Sequence, residues 1–281
     1  MAFPLVLDGA ELASLLGELS KQDRSLADEG ICLIDLQSAE QYESGHLPGA
    51  VHGNATMLNA TAPPVGGLLP DEQTVNRFLS DAGAQRGDQI LVYDRGMQTP
   101  AARLIWVLHA YGYEACSWLN GGFETWSRSG YPVTCDVPLP PTGNLVLHRK
   151  AANVLSVDDL LALIQKEPPA ILDVRSRKEY EGTDVRSAYG GHVPDAAHLE
   201  WTSMLDQDGL LLGNDELLAL LQPLIGAAED TTIVYCQTHQ RSAVTYVALK
   251  HLGYTDVRAI DGAWSNWGNR EDTPKITEPS A

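Results

Sequence analysis

The sequence has no apolar run approaching the ~20 residues that a membrane span requires. Its start, MAFPLVLDGAELASLLGEL, lacks the positive charge of a secretory signal and sets Asp8 and Glu11 inside the would-be apolar stretch. The expectation is a soluble, cytoplasmic protein. Positive charge is scarce too: 19 Lys and Arg stand against 37 Asp and Glu, a formal charge of -18. Such a surface repels phosphate backbones and anionic membranes, so neither nucleic acid nor a membrane is an expected partner. A small anion would need a locally positive pocket to bind at all.

Cysteine is sparse. Among Cys32, Cys116, Cys135 and Cys236 there is no Cys-x-x-Cys pair and no Cys/His spacing suited to zinc, so no metal is expected. Cys32 lies in the apolar run Ile31-Cys-Leu-Ile34 and Cys116 precedes Ser117-Trp-Leu119; both read as small hydrophobes in strands. Cys135 follows Tyr131-Pro-Val-Thr134 and has no evident role. Cys236 sits differently, as argued below.

What the sequence does contain is itself, twice. Gly45-His-Leu-Pro-Gly-Ala-Val-His52 answers Gly191-His-Val-Pro-Asp-Ala-Ala-His198. Each follows an apolar run ending in aspartate, Ile31-Cys-Leu-Ile-Asp35 or Ala170-Ile-Leu-Asp173. Further on, Ile90-Leu-Val-Tyr-Asp94 matches Ile233-Val-Tyr-Cys236, and Asn120-Gly-Gly-Phe123 matches Asp261-Gly-Ala-Trp264. The shift is 235 − 93 = 142 at the tyrosines and 253 − 112 = 141 at the following glycines, so the first copy carries one extra residue in the loop between them. A period near 140 residues suits two domains rather than a solenoid. With 281 residues, 44% of them apolar, there is material for two cores.

Each copy alternates helix and strand. Asp8-x-x-Glu11 and Ser156-x-x-Asp159 read as capped helix starts. Leu160-Leu-Ala-Leu-Ile164 supplies an apolar face before Pro168-Pro169 stops the helix. Ile90–Tyr93 and Ile233–Tyr235 suit strands buried on both faces, followed by helices over Ala101–Ala110 and Ser242–His251. The fold class is therefore α/β, two tandem domains, each a mostly parallel central sheet flanked by helices. Asp136-Val-Pro-Leu-Pro-Pro-Thr-Gly-Asn144 reads as a stiff, exposed linker, which divides the chain into 1–139 and 140–281.

Ligands of open α/β sheets bind beyond the carboxyl ends of strands. Cys236 occupies such an end, and the loop Cys236-Gln-Thr-His-Gln-Arg-Ser242 leads from it into a helix. Inward backbone N–H groups, the helix start and Arg241 would together favour a thiolate. Asp94 holds the corresponding place in the first copy, where a carboxylate cannot act as a thiolate would.

These motifs resemble the tandem-domain rhodaneses, in which an inactive N-terminal copy accompanies a catalytic C-terminal one. Tyr42-x-x-x-His46-Leu-Pro-Gly-Ala50 fits the family's first signature, departing at Gly53 where an apolar residue is usual. Asp261-Gly-Ala-Trp264 with Trp267 resembles the C-terminal signature, with Asn266 where glutamate is commoner. The loop is most similar to a bacterial thiosulfate sulfurtransferase type, with Gln240 replacing a second histidine.

The resemblance implies a sulfurtransferase with Cys236 as nucleophile. Gln237, Thr238, His239, Gln240, Arg241 and Ser242 would bind the donor, together with Arg175 and Trp201. Arg175 ends the first strand of the catalytic copy, where Gln37 stands in the other. It would steer an anionic donor, orient Asp173, or pair with Glu179 or Glu181. Trp201 is either a pocket wall or a core tryptophan. Some rhodaneses have cations at the places of Glu179 and Thr238; neither is present here. The His46 and His192 motifs occur in both copies and read as structural.

The implied reaction is double displacement through a persulfide, thiosulfate to cyanide or a thiol, with no cofactor. A sulfur-acceptor protein is a further candidate partner, and a sulfur-relay role would use the same loop. A phosphatase of this fold needs Cys-x5-Arg, whereas four residues separate Cys236 from Arg241. A 3-mercaptopyruvate sulfurtransferase usually carries Cys-Gly-Ser/Thr-Gly-Val-Thr, which this loop does not.

Overall fold

A computed structural model describes residues 3–150, 152–166 and 168–277. It resolves into two units. One takes the residues up to Leu58, Pro70–Lys150 and Gln207–Leu210; the other takes Asn59–Leu69, the stretch from 152 to Asp206, and Leu211 onward.

In the first unit the strands are β1 (Val6–Leu7), β2 (Ile31–Asp35), β3 (Val51–His52), β6 (Gln89–Tyr93) and β7 (Cys116–Leu119). The second unit holds β4 (Ala60–Ala62) and β5 (Val65–Leu68), an antiparallel hairpin. It also holds β8 (Val154–Leu155), β9 (Ala170–Asp173), β10 (Ala197–His198), β11 (Thr232–Tyr235) and β12 (Val257–Ile260). The main sheets run β1-β7-β6-β2-β3 and β8-β12-β11-β9-β10, with every neighbour parallel. The two orders are the same once the strands are matched by sequence, so the repeat extends to topology.

Burial explains the apolar runs. All five residues of β2 and of β6 are buried, as are all four of β11, because helices cover both faces of a parallel sheet. Leu33, Leu91, Tyr93 and Trp126 centre one core; Leu160, Ile233, Tyr235 and Trp264 centre the other. Fully burying a side chain such as Leu160 or Ile233 stabilises by about 1.5–3 kcal/mol. Cys32 and Cys116 lie buried in β2 and β7 as small core residues, and burial pushes the Cys32 thiol up to about 12.

The helix starts follow their caps. Asp8 accepts from Ala10 N–H at the head of helix Gly9–Lys21. Ser156 and Asp159 cap helix Val157–Lys166 reciprocally, so aspartate serves where glutamate is commoner. Gly53 departs from the family pattern for a steric reason: a Cβ there would fall 2.8 Å from Ile34 and 2.9 Å from Phe78.

The linker differs from expectation. Leu139 is 95% exposed, but beyond it the chain is tied down. Pro140 lies against Gly83, Gly143 N–H donates to Ser80 O, and Leu145 and Leu147 are buried. The first unit therefore extends to Lys150 rather than ending near residue 140, and each unit takes a segment from the other half of the sequence. Among the described residues no helix is long and apolar enough to cross a membrane.

Candidate active site

Register places the site. Asp173 at the end of β9 pairs with Tyr235 at the end of β11, and Cys236 follows directly. The loop then turns into helix Arg241–His251. Backbone bonds from Trp264 N–H to Cys236 O and from Ser265 N–H to Gln237 O fix the start of the loop. His239 completes the turn in the left-handed region, φ 54°.

The other copy is built alike. Phe123 and Glu124 N–H donate to Asp94 O and Arg95 O, and the left-handed residue is Gln98, φ 66°. Gln98 lies four residues after Asp94, whereas His239 lies three after Cys236. The extra residue expected from the sequence offset thus falls before the left-handed turn. The buried Asp94 carboxylate accepts from the N–H groups of Gly96, Gln98 and Ala101 at 2.9–3.1 Å. Burial raises its pKa, and those N–H groups oppose the rise. The loop is an anion cradle that the carboxylate has filled.

Cys236 is 1% exposed. Arg241, 21% exposed at its side chain, lies near enough to Cys236 for charge to act between them. Its other partner is Glu179, held bidentately at 2.6 and 2.8 Å. Thr238 is half-buried beneath the β4–β5 hairpin, where Gly66 and Gly67 pass over it. Gly67 has φ 72°, and a Cβ there would overlap the Thr238 carbonyl. Gly66 N–H to Ser265 Oγ and Leu69 N–H to Asp261 Oδ1 pin the hairpin, both at 2.8 Å.

Several expected donor-binding side chains are otherwise engaged. His239 and Ser242 are fully buried, with Nδ1 and Oγ 2.6 Å apart, so they shape the loop from within. Gln240 donates to Asn59 Oδ1, and Gln237 donates to Ser187 Oγ and Arg186 O. Their side chains tie the loop to its walls. Trp201 is half-buried at the head of a short turn, Trp201–Met204, with its N–H on Val174 O.

Arg175 requires correction. It is 1% exposed and spends its guanidinium on Asp173 and the Gly191 carbonyl, stacked over Trp264 at 4.3 Å. A donor cannot reach it, so of the readings open to it the orientation of Asp173 stands. Gln37 bridges Asp35 and the Gly45 carbonyl in the same way in the other copy. The histidines are structural. His46 stacks on Tyr42 and His192 on Tyr180, each bonding that tyrosine's carbonyl through Nδ1 at 2.8 Å.

Sequence reasoning missed Glu179 as the partner of Arg241, and it missed the wall formed by Gly182–Gly191. A signal for that wall was present: His46 follows Tyr42 by four positions, whereas His192 follows Tyr180 by twelve. The second copy has an insertion there, and it carries Arg186 and Ser187.

The rhodanese-like domain model matches the chain twice, over residues 14–129 and 156–270. The chain belongs to the rhodanese family. It is 34% identical to the thiosulfate sulfurtransferase of Azotobacter vinelandii, with 97% of each chain covered. It is 30% identical to the 3-mercaptopyruvate sulfurtransferase of Escherichia coli K12, over 85% of this chain and 86% of that one. The crystal structure of the E. coli rhodanese SseA superposes with a TM-score of 0.78 at 27% identity, covering 93% of this chain and 99% of that one. As a rhodanese with two matched domains, the chain bears Cys236 in the second of them.

Proposed function

We propose that this rhodanese is a thiosulfate:cyanide sulfurtransferase that carries sulfane sulfur as a persulfide of Cys236. The observation that carries the reading is Cys236 directly after the end of β11, in the loop that leads into a helix opening with Arg241. The full-length likeness to a thiosulfate sulfurtransferase supports it.

The Cys236 thiolate attacks the outer sulfur of thiosulfate. That sulfur bonds to Sγ as its bond to the sulfonate sulfur breaks, and sulfite leaves with the electron pair. Cyanide carbon then attacks the outer sulfur, thiocyanate departs, and the thiolate returns. No redox partner is required. From the match of Gln98 with His239 we infer that the N–H groups of His239 and Ser242 hold the persulfide, in the place of those that hold Asp94. Thr238 and Arg241 meet the donor, Arg241 as the charged hydrogen-bond donor.

Mass spectrometry after thiosulfate treatment is expected to find one added sulfur on the wild type and none on Cys236→Ser. Transfer surviving in the variant refutes the assignment. With cyanide as acceptor, thiosulfate is expected to exceed 3-mercaptopyruvate in kcat/KM, because the loop concentrates its polar groups close to the cysteine. The reverse order would reassign the donor while leaving Cys236 in place.

A further inference from the structure

The cation of the active loop is held by a carboxylate whose charge the other copy does without. Glu179 is 1% exposed. Both its oxygens bind Arg241, Ser176 donates to it from N–H and Oγ, and Arg186 Nε lies 3.7 Å away. Glu179 is also the third residue of helix Arg177–Glu181, where it closes a capping box with Ser176.

In the first copy the same box is closed by Ser38 and Gln41, an amide. There the residue matching Arg241 is Pro100, by the correspondence of Gln98 with His239. The helix start needs an acceptor at this position, and a neutral one suffices. The negative charge occurs only in the copy that has Cys236 and its arginine.

Resting on Cys236 as sulfur carrier, we propose that Glu179 is a positioning residue that sets donor charge preference: it fixes Arg241 beside the sulfur and cancels its excess charge, so that a dianion is admitted without being trapped. Both thiosulfate and the departing sulfite are anions. An uncompensated Arg241 would hold each more tightly, and the gain in donor binding would return as slow release of sulfite.

The test uses two donors that yield the same persulfide. Thiosulfate, a dianion, loses sulfite; methanethiosulfonate, a monoanion, loses methanesulfinate. In Glu179→Gln, an exchange the first copy already makes at Gln41, the kcat/KM ratio of thiosulfate to methanethiosulfonate should rise about tenfold, and sulfite should inhibit more strongly. Glu179→Asp keeps the charge and should keep the wild-type ratio.

A ratio unchanged in Glu179→Gln, or moved alike in both variants, overturns the proposal. Should Glu179→Gln not fold, the wild type decides. At low ionic strength its preference for the dianion should stay within about tenfold, and a preference beyond about a hundredfold overturns the proposal. Persulfide mass on Cys236 separates the two ideas. If neither donor adds sulfur, the sulfurtransferase reading fails; if both do and the ratio does not move, only the role of Glu179 fails.

Discussion

Arg175 grips Asp173 with Nε 3.0 Å from each carboxylate oxygen and Nη2 on one of them, and the pair is closed from solvent. It ties the end of β9 to the Gly191 carbonyl, sixteen residues on. Removing one member of a buried pair leaves the other charge unpaired, which costs about 3–5 kcal/mol.

Arg175→Ala should therefore lower the urea midpoint steeply. Arg175→Gln should cost less, because Gln37 makes the same bridge in the other copy. Equal losses for the two variants would show that the bridge is not what Arg175 supplies.

Gly67→Ala places a Cβ on the Thr238 carbonyl, from a backbone conformation that alanine resists. Displacing the loop by a fraction of an ångström should reduce kcat/KM by about tenfold or more. Gly66→Ala is the control, since its Cβ would meet Thr238 Cγ2 at an ordinary 3.8 Å. Steady-state kinetics on the two variants, with thermal unfolding alongside, decides the matter.

Tyr180 donates to Ala196 O and Tyr42 to Ala50 O, both at 2.7 Å. Either change to phenylalanine orphans a buried carbonyl and should cost about 1–3 kcal/mol. Denaturant unfolding should find the two losses similar, and sulfur transfer at saturating donor should be unchanged. A selective loss of kcat in Tyr180→Phe would give that motif a catalytic part.

Burial works against ionised Glu179, but the bonds and charge of Arg241 lower its pKa from the usual 4.5 to about 2. A lowered carboxylate pKa contributes stability that is present above the unfolded value and lost as pH falls through the folded one. The Glu179-dependent part of stability should therefore fade between about pH 4.5 and pH 2. Acid titrations of the wild type and Glu179→Gln should converge across that window, and curves that stay parallel would contradict it.

The strands and the helices after β6 and β11 were legible because burial on both faces of a parallel sheet demands uninterrupted apolar residues. Cys236 was legible for the same reason, since a polar loop breaks sharply from Thr232–Tyr235. The inward turn of His239 was not, because a left-handed residue other than glycine leaves no mark in composition. Glu179 was read as a candidate partner of Arg175, and a single sequence gives no sign that its oxygens instead reach Arg241, 62 positions away. Nor did the Pro-rich linker reveal that its second half packs on Gly83 and Ser80.

The assignment of Asn59–Leu69 to the second unit and of Gln207–Leu210 to the first bears on how the chain is made. On a ribosome the first unit emerges with residues up to Lys150 yet still lacks its last segment. The turn that bonds Gln98, through Gly209, is synthesised only after roughly half of the second unit has been made. The hairpin over Thr238, in contrast, is finished long before the loop it covers exists. The first unit is therefore complete only once Leu210 has been made, although each unit has a core of its own.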